Sequence, residues 1–201
     1  MISVNHKAIF IHNPKVAGTS INILLKDQQF THKSLHQAKD GSNDNNTGEW
    51  KIGTARRLER GFEQEEWSSY FKFGFVRNPW DRMISSWKNR GEKKYSDFKD
   101  FVLSYPFKEE YRDIIWHTMP QYIHLCDEDD CLMLDYTGRF EHLEEDLNCI
   151  SDILNINLGK VPHSNKTERK SYKEYYDQET IDKVAEIYKK DIELFQYEFN
   201  I

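Results

Sequence analysis

The chain has 201 residues, a formal net charge of -6 and 31% charged side chains. That length supports one domain with a sizeable core, and the acidic balance excludes the broadly basic surface that a nucleic-acid binder needs. No apolar run is long enough to span a bilayer and no signal-peptide pattern opens the chain, so a soluble, cytoplasmic protein is expected.

Ala8-Ile9-Phe10-Ile11 is a short apolar run that reads as a buried strand. His12-Asn13-Pro14 breaks the pattern, and Lys15, Gly18, Thr19 and Ser20 follow before a helical periodicity begins at Ile21, Leu24 and Leu25. Such a strand–turn–helix directs backbone N–H groups and the positive end of a helix dipole at whatever lies in front of it. Gly18 lets the backbone approach an anion, Lys15 adds a mobile positive charge, and Thr19 and Ser20 add hydroxyl donors. A phosphate or sulfate ester suits this chemistry. The alternative is an ordinary strand–helix connection with an incidental lysine. The nucleotide-triphosphatase loop G-x-x-x-x-G-K-[ST] does not fit, because here the lysine precedes the glycine and no glycine opens the loop.

Residues 29–36 lead away from this unit with room for a second short strand, and residues 37–54 are polar and turn-rich, as expected of a loop. A helix is predicted over about 54–70, which Gly61 can divide. Phe71 to Val76 reads as a second core strand ending at Arg77-Asn78-Pro79-Trp80-Asp81. There Asn78 is placed to cap a helix, Pro79 occupies its first position, and Asp81 completes an acidic variant of a capping box. On that helix Met83, Ile84 and Trp87 share an apolar face expected to pack on the sheet, with Asn78, Arg82 and Ser85 opposite. Arg77 and Ser85 are then expected to look toward the carboxyl ends of the strands, where open α/β sheets bind ligands. Further helices are predicted at about 97–104, 109–124 and 143–154, with short strands at 132–135 and 139–141. A polar loop over 161–170 carries Lys166, Thr167 and Arg169, and an amphipathic helix with Ile181, Val184, Ala185, Tyr188 and Ile192 closes the chain. The fold class is α/β, with a central parallel sheet flanked by helices in a single domain over 1–201. Cys126, Cys131 and Cys149 lack metal-ligand spacing and read as reduced thiols, with a Cys126–Cys131 bridge as the alternative.

Two stretches, PKVAGTS at 14–20 and FVRNPWDRMISSW at 75–87, together resemble the two nucleotide-binding motifs of sulfotransferases that use 3′-phosphoadenosine 5′-phosphosulfate. DYTGRFEHLEEDL at 135–147, PHSNKTERKSYKEYY at 162–176 and DIELFQYEF at 191–199 are similar to the carbohydrate branch of that family, both Golgi-type and bacterial. The resemblance implies a P-loop-like sulfotransferase fold and sulfuryl transfer to a hydroxyl of a carbohydrate or glycolipid, leaving adenosine 3′,5′-bisphosphate, without a metal. It implies that Lys15, Ala17, Gly18, Thr19 and Ser20 bind the 5′-phosphosulfate. Arg77 and Ser85, eight residues apart, would bind the 3′-phosphate. Lys166, Thr167 and Arg169 form a basic loop that could close over that phosphate. A lysine at the bridging oxygen would stabilise the leaving group electrostatically, and Lys15 is the candidate. Relatives place their proton acceptor, a His or Glu, beyond the first βα unit, which points to His36, with His32 as substitute. His12 can line the site or cap the strand, while His117, His124, His142 and His163 read as structural or rim residues. Two rival readings are a P-loop kinase or triphosphatase, and a nucleotide-binding protein that kept the fold without catalysis.

Overall fold

The computed structural model describes residues 1–30, 54–160 and 170–199. In chain order its elements are β1 (Ile2–Ser3), β2 (Ala8–Ile11), α1 (Gly18–Asp27), α2 (Thr54–Glu59), α3 (Gln64–Ser69), β3 (Phe71–Val76) and α4 (Pro79–Ser86). Then come α5 (Phe98–Leu103), α6 (Arg112–Thr118), α7 (Gln121–Leu125), β4 (Tyr136–Arg139), α8 (Leu143–Leu154), α9 (Gln178–Ile187) and α10 (Lys189–Phe195). Trp87–Gly91 continues α4 as a wider π-helical turn.

The contacts divide the chain into two compact units. The first contains Met1–Asn13, Ala17–Val76 and Gln121–Asn165. Its described residues form a four-stranded sheet in the order β1-β2-β3-β4. β1 is antiparallel to β2, whereas β2, β3 and β4 run parallel, with Ala8 opposite Phe71 and Phe73 opposite Tyr136. All four residues of β2 are buried, as are five of the six in β3. Continuous apolar runs of this kind arise because helices cover a parallel sheet on its faces. The core beneath them joins Phe10 to Phe73, with ring centroids 5.5 Å apart, and includes Ile21, Leu25 and Phe30. This is the α/β class expected from the sequence, with a mostly parallel sheet and flanking helices.

The second unit contains Pro14–Val16, Arg77–Pro120 and Lys166–Ile201. Asn78 caps α4 as expected: its Oδ1 accepts from the backbone N–H groups of Trp80 and Asp81. Within this unit α4 packs against α6 and α9. Arg82, which helical periodicity assigns to a polar face, is completely buried there, because Tyr188 and the carbonyl of Pro14 lie beside it. Tyr188 is buried as well, and its hydroxyl donates to the Thr118 carbonyl at 2.7 Å.

The strands differ from expectation at one place. Leu132 makes only a single bridge, to Cys126, and the strand is Tyr136–Arg139 rather than two segments at 132–135 and 139–141. Two carboxylates set its limits. Asp135 accepts from the Lys72 backbone N–H at 2.7 Å, while its own N–H donates to the Lys72 carbonyl, which starts the pairing. Asp146 accepts from the Arg139 N–H at 2.6 Å, which ends the strand, and Phe140–His142 turns as a 3₁₀ segment. Cys126 is buried, Cys131 and Cys149 are exposed, and none of the three is in a disulfide.

At the start of α9, Asp177 accepts from the Thr180 N–H at 2.9 Å and from Lys99 at 2.7 Å. Lys99, foremost, and that N–H hold its carboxyl at about 2 instead of 3.8. A depressed carboxylate pKa contributes stability that is fully present above the ordinary value and is lost as pH falls through the folded one. Asp177→Ala is therefore expected to melt below the wild type at neutral pH, with the gap closing between about 3.8 and about 2. A thermal melt series across that window checks this, and a gap that persists unchanged at its acid end contradicts it.

Candidate functional site

Two arginines of the α4 segment hold the loop that contains Lys15. The Nη1 of Arg77 donates to the Lys15 carbonyl at 3.0 Å, and the Nε of Arg82 donates to the Pro14 carbonyl at 3.0 Å. The Nε and Nη2 of Arg77 both donate to Oδ2 of Asp81, at 2.9 and 2.7 Å. Arg77 is 5% exposed and Arg82 not at all. Hydrogen bonds from a charged donor contribute about 1.5–3 kcal/mol each, more than neutral ones. The grip has a geometric consequence. Both peptide bonds are trans, so each carbonyl and the next residue's N–H point in opposite directions. With the carbonyls of Pro14 and Lys15 turned to the arginines, the N–H groups of Lys15 and Val16 are turned away from them. Lys15 has φ 71° and Ala17 φ 64°, left-handed conformations that cost a non-glycine residue roughly 1–2 kcal/mol each. The arginine bonds offset that strain.

In the first unit, α1 begins at Gly18 with no side-chain cap at Ala17, and its first intrahelical bond runs from the Ile21 N–H to the Ala17 carbonyl at 3.1 Å. No acidic residue stands in its first turn. A ten-residue helix that starts without an anionic side chain presents amide groups and a positive dipole end suited to an external anion. Gly18 packs closely on His12: a Cβ there would overlap the imidazole ring, which would have to move. Thr19 is exposed and Ser20 buried. Just before the loop, Asn13 is fully buried, and its Nδ2 donates to the Phe75 carbonyl and to Oε1 of Gln121, both at 3.0 Å. It thereby joins the carboxyl end of β2 to that of β3.

Ser85 is half-buried on α4. Its neighbour Ser86 is buried and donates to the carbonyls of Arg82 and His117, each at 3.0 Å. The two Nη atoms of Arg82 are buried with no hydrogen-bond partner among the described residues, and the guanidinium lies 5.9 Å from the centre of the Tyr188 ring. Burial lowers the Arg82 pKa from the usual arginine value, and Tyr188 and Asp191 oppose that shift. The phenol of Tyr188 is pushed well above its usual value, chiefly by its own burial.

Of the residues picked from the sequence, Lys15, Arg77 and Ser85 fall in the second unit, with Ala17, Gly18, Thr19 and Ser20 in the first. His32, His36, Lys166, Thr167 and Arg169 lie outside the described residues. Asn13, Asp81 and Arg82 carry more of the site than their sequence roles suggested. The pairing of Asp81 with Arg77 was not legible from helical spacing, because Arg77 precedes the Asn78 cap and so lies outside α4. Nor was the grip of Arg82 on Pro14, since nothing local links residues 68 positions apart. Among the described residues, no cluster of three or more His, Cys, Asp or Glu side chains is placed to hold a metal ion, and no helix is long and apolar enough to cross a membrane.

Residues 1–198 match the Sulfotransferase family. The chain belongs to that family. It is similar to carbohydrate sulfotransferase 11 of Mus musculus and of Rattus norvegicus, 22% identical to each over 238 residues, covering 98% of this chain. The chain spans 66% of the length of these curated relatives. Its fold is that of a solved sulfotransferase from Alicyclobacillus acidocaldarius, with a TM-score of 0.51 at 15% identity, covering 94% of this chain and 96% of the other. Family and fold support sulfuryl transfer as the general chemistry, and the arginine-held loop lies within the part of the chain that carries the family match.

Gly18→Ala is expected to destabilise the chain by about 1–3 kcal/mol through overpacking, with His12→Ala recovering part of the loss in the double variant. Urea denaturation of the three variants checks the coupling. A neutral Gly18→Ala would show that the His12 contact does not constrain the loop.

Proposed function

We propose that this chain moves a sulfuryl group from 3′-phosphoadenosine 5′-phosphosulfate to a hydroxyl of a carbohydrate or glycolipid. The observation that carries the reading is the pair of arginine bonds to the carbonyls of Pro14 and Lys15, which turns two backbone N–H groups the other way beside the Lys15 side chain. A loop whose carbonyls are already taken offers an anion donors instead of lone pairs. The donor has two anionic ends on one ribose, and the chain has two cationic, N–H-rich motifs in the order the family uses. Lys15, with the loop and the α1 N-terminus over Ala17 to Ser20, is assigned to the 5′ end. Ser85 is assigned to the 3′-phosphate. Arg77 is assigned to the same phosphate, with its Nε edge held by Asp81, so its charge also fixes the loop. Lys166, Thr167 and Arg169 are assigned to the same end. The carbohydrate acceptor rests on the similarity to the two relatives named for that class.

In such a transfer the acceptor oxygen bonds to sulfur as the bond from sulfur to the phosphate oxygen breaks. Negative charge grows on that departing oxygen. The ammonium of Lys15 would meet it there, where a preorganised cation is most effective. A nearby base must take the hydroxyl proton, and the sequence offers His36 and His32 for it.

Adenosine 3′,5′-bisphosphate is expected to raise the melting temperature more than adenosine 5′-monophosphate does, because only the former occupies both motifs. Ser85→Ala should narrow that difference, lowering bisphosphate affinity by about tenfold for one hydrogen bond to a charged group. Lys15→Ala should lower turnover, measured with labelled donor over a panel of glycans, more than it lowers nucleotide affinity. Equal stabilisation by the two nucleotides contradicts the 3′-phosphate assignment, and an unchanged kcat in Lys15→Ala contradicts the leaving-group role.

A further inference from the structure

His117 lies in the last turn of α6, where the sequence gives it no role beyond structure or rim. Its Nδ1 is 2.7 Å from the Asp113 carbonyl oxygen and 3.3 Å from Oδ1 of the same residue. Both oxygens accept, so Nδ1 carries the hydrogen in the neutral ring and Nε2 carries the lone pair. No partner of Nε2 is found among the described residues, that nitrogen is not among their buried polar atoms without a partner, and the side chain is 18% exposed. The backbone that carries the ring is held as well. The His117 carbonyl accepts from Ser86 Oγ at 3.0 Å, and the next carbonyl, of Thr118, accepts from the buried Tyr188 hydroxyl. The other oxygen of Asp113 is held by Nε of Arg90 at 3.1 Å. This is the arrangement of an oriented base: an open nitrogen, a hydrogen bond behind it, and an ion pair behind that.

Hydrogen bonds through α4 link it to the loop: Ser86 Oγ donates to the carbonyls of both Arg82 and His117, and Arg82 Nε donates to the Pro14 carbonyl. The groups whose charge bears on the ring are Asp113 of α6, Arg90 of the π-helical turn and Lys15. Burial lowers the pKa from the ordinary histidine value. The Asp113 carbonyl and carboxylate oppose that, while Arg90 and Lys15 add to it. Burial, the largest of these effects, favours the neutral ring that a proton acceptor requires.

We propose that His117 Nε2 is the proton acceptor for the hydroxyl that becomes sulfated, with Asp113 as its positioning residue. As the acceptor oxygen bonds to sulfur, its proton passes to Nε2 and the ring becomes imidazolium, faced by the Asp113 carboxylate. The electron pair of the breaking sulfur–oxygen bond stays on the phosphate oxygen, at the Lys15 ammonium. The proposal rests on the sulfuryl-transfer reading and replaces His36 and His32 in this step.

The direct test is nitrogen-15 NMR of the full chain, histidine-labelled, titrated with and without adenosine 3′,5′-bisphosphate, with occupancy followed separately by calorimetry. The expected result is an unprotonated Nε2 in the neutral form and a midpoint below that of an ordinary histidine. Bound nucleotide should move the midpoint upward, because a phosphate beside Lys15 counters its charge. In a parallel assay, His117→Gln should cut turnover by about 100-fold or more and remove the acidic limb of kcat/KM, while the nucleotide Kd changes little. A protonated Nε2 in the neutral ring, or a midpoint that bound nucleotide leaves in place, overturns the proposal. So does a turnover loss in His117→Gln that keeps the acidic limb, or a larger loss in His36→Gln or His32→Gln. Nucleotide that fails to bind the wild type overturns the donor reading itself, and calorimetry separates that failure from the others.

Discussion

The Nη1 of Arg77 and the Nε of Arg82 take the carbonyl oxygens of Lys15 and Pro14, each at 3.0 Å. Burying a guanidinium group is costly unless its donors are used; Asp81 and the Lys15 carbonyl use those of Arg77, whereas Arg82 uses its Nε on Pro14 and keeps both Nη atoms buried without a partner among the described residues. Lysine could not replace either arginine, since a point charge cannot serve a carboxylate and a carbonyl at fixed angles as the planar fork of Arg77 does. The bonds fix a loop whose left-handed residues at 15 and 17 would otherwise relax, and they decide which way its amide groups face. An anion site built from backbone depends on that orientation more than on any single side chain.

The supporting structure serves the same end at each motif. Within the second unit, Arg77 is held at its Nε edge by Asp81 and bonds the Lys15 carbonyl through Nη1. Asn78 caps α4 and also donates to the Glu198 carbonyl, which ties the helix start to the end of the described chain. Asn13 does the corresponding work in the first unit by joining the ends of β2 and β3. Polar side chains buried at strand ends stabilise little in total but specify geometry, since a misplaced strand would leave their donors unpaired.

Much of this was legible in the sequence, for local reasons. The runs AIFI and FKFGFV are short, apolar and bounded by breakers, and both are strands as expected. Asn78-Pro79 marks the start of α4 by capping chemistry, and the 143–154 helix has its predicted limits. The strand near 132–141 was misplaced because its ends are set by Asp135 and Asp146, which bond to backbone elsewhere in the fold. The same kind of distance hid the site. Arg82 sits at a position that periodicity calls polar and is nonetheless the largest of the fully buried side chains among the described residues, with a partner, Pro14, that lies far away in sequence. The role proposed for His117 depends on which ring nitrogen is engaged, a property of its contacts with Asp113 that no sequence pattern carries.

The most direct measurement is a crystal structure of the chain with adenosine 3′,5′-bisphosphate bound. The account predicts the 5′-phosphate within hydrogen-bond distance of Lys15 Nζ and of the backbone N–H groups of the loop, the 3′-phosphate against Ser85 Oγ, and both arginine–carbonyl bonds intact. A nucleotide bound away from the loop, or one that binds only after the Arg77 and Arg82 bonds to the carbonyls break, would contradict it.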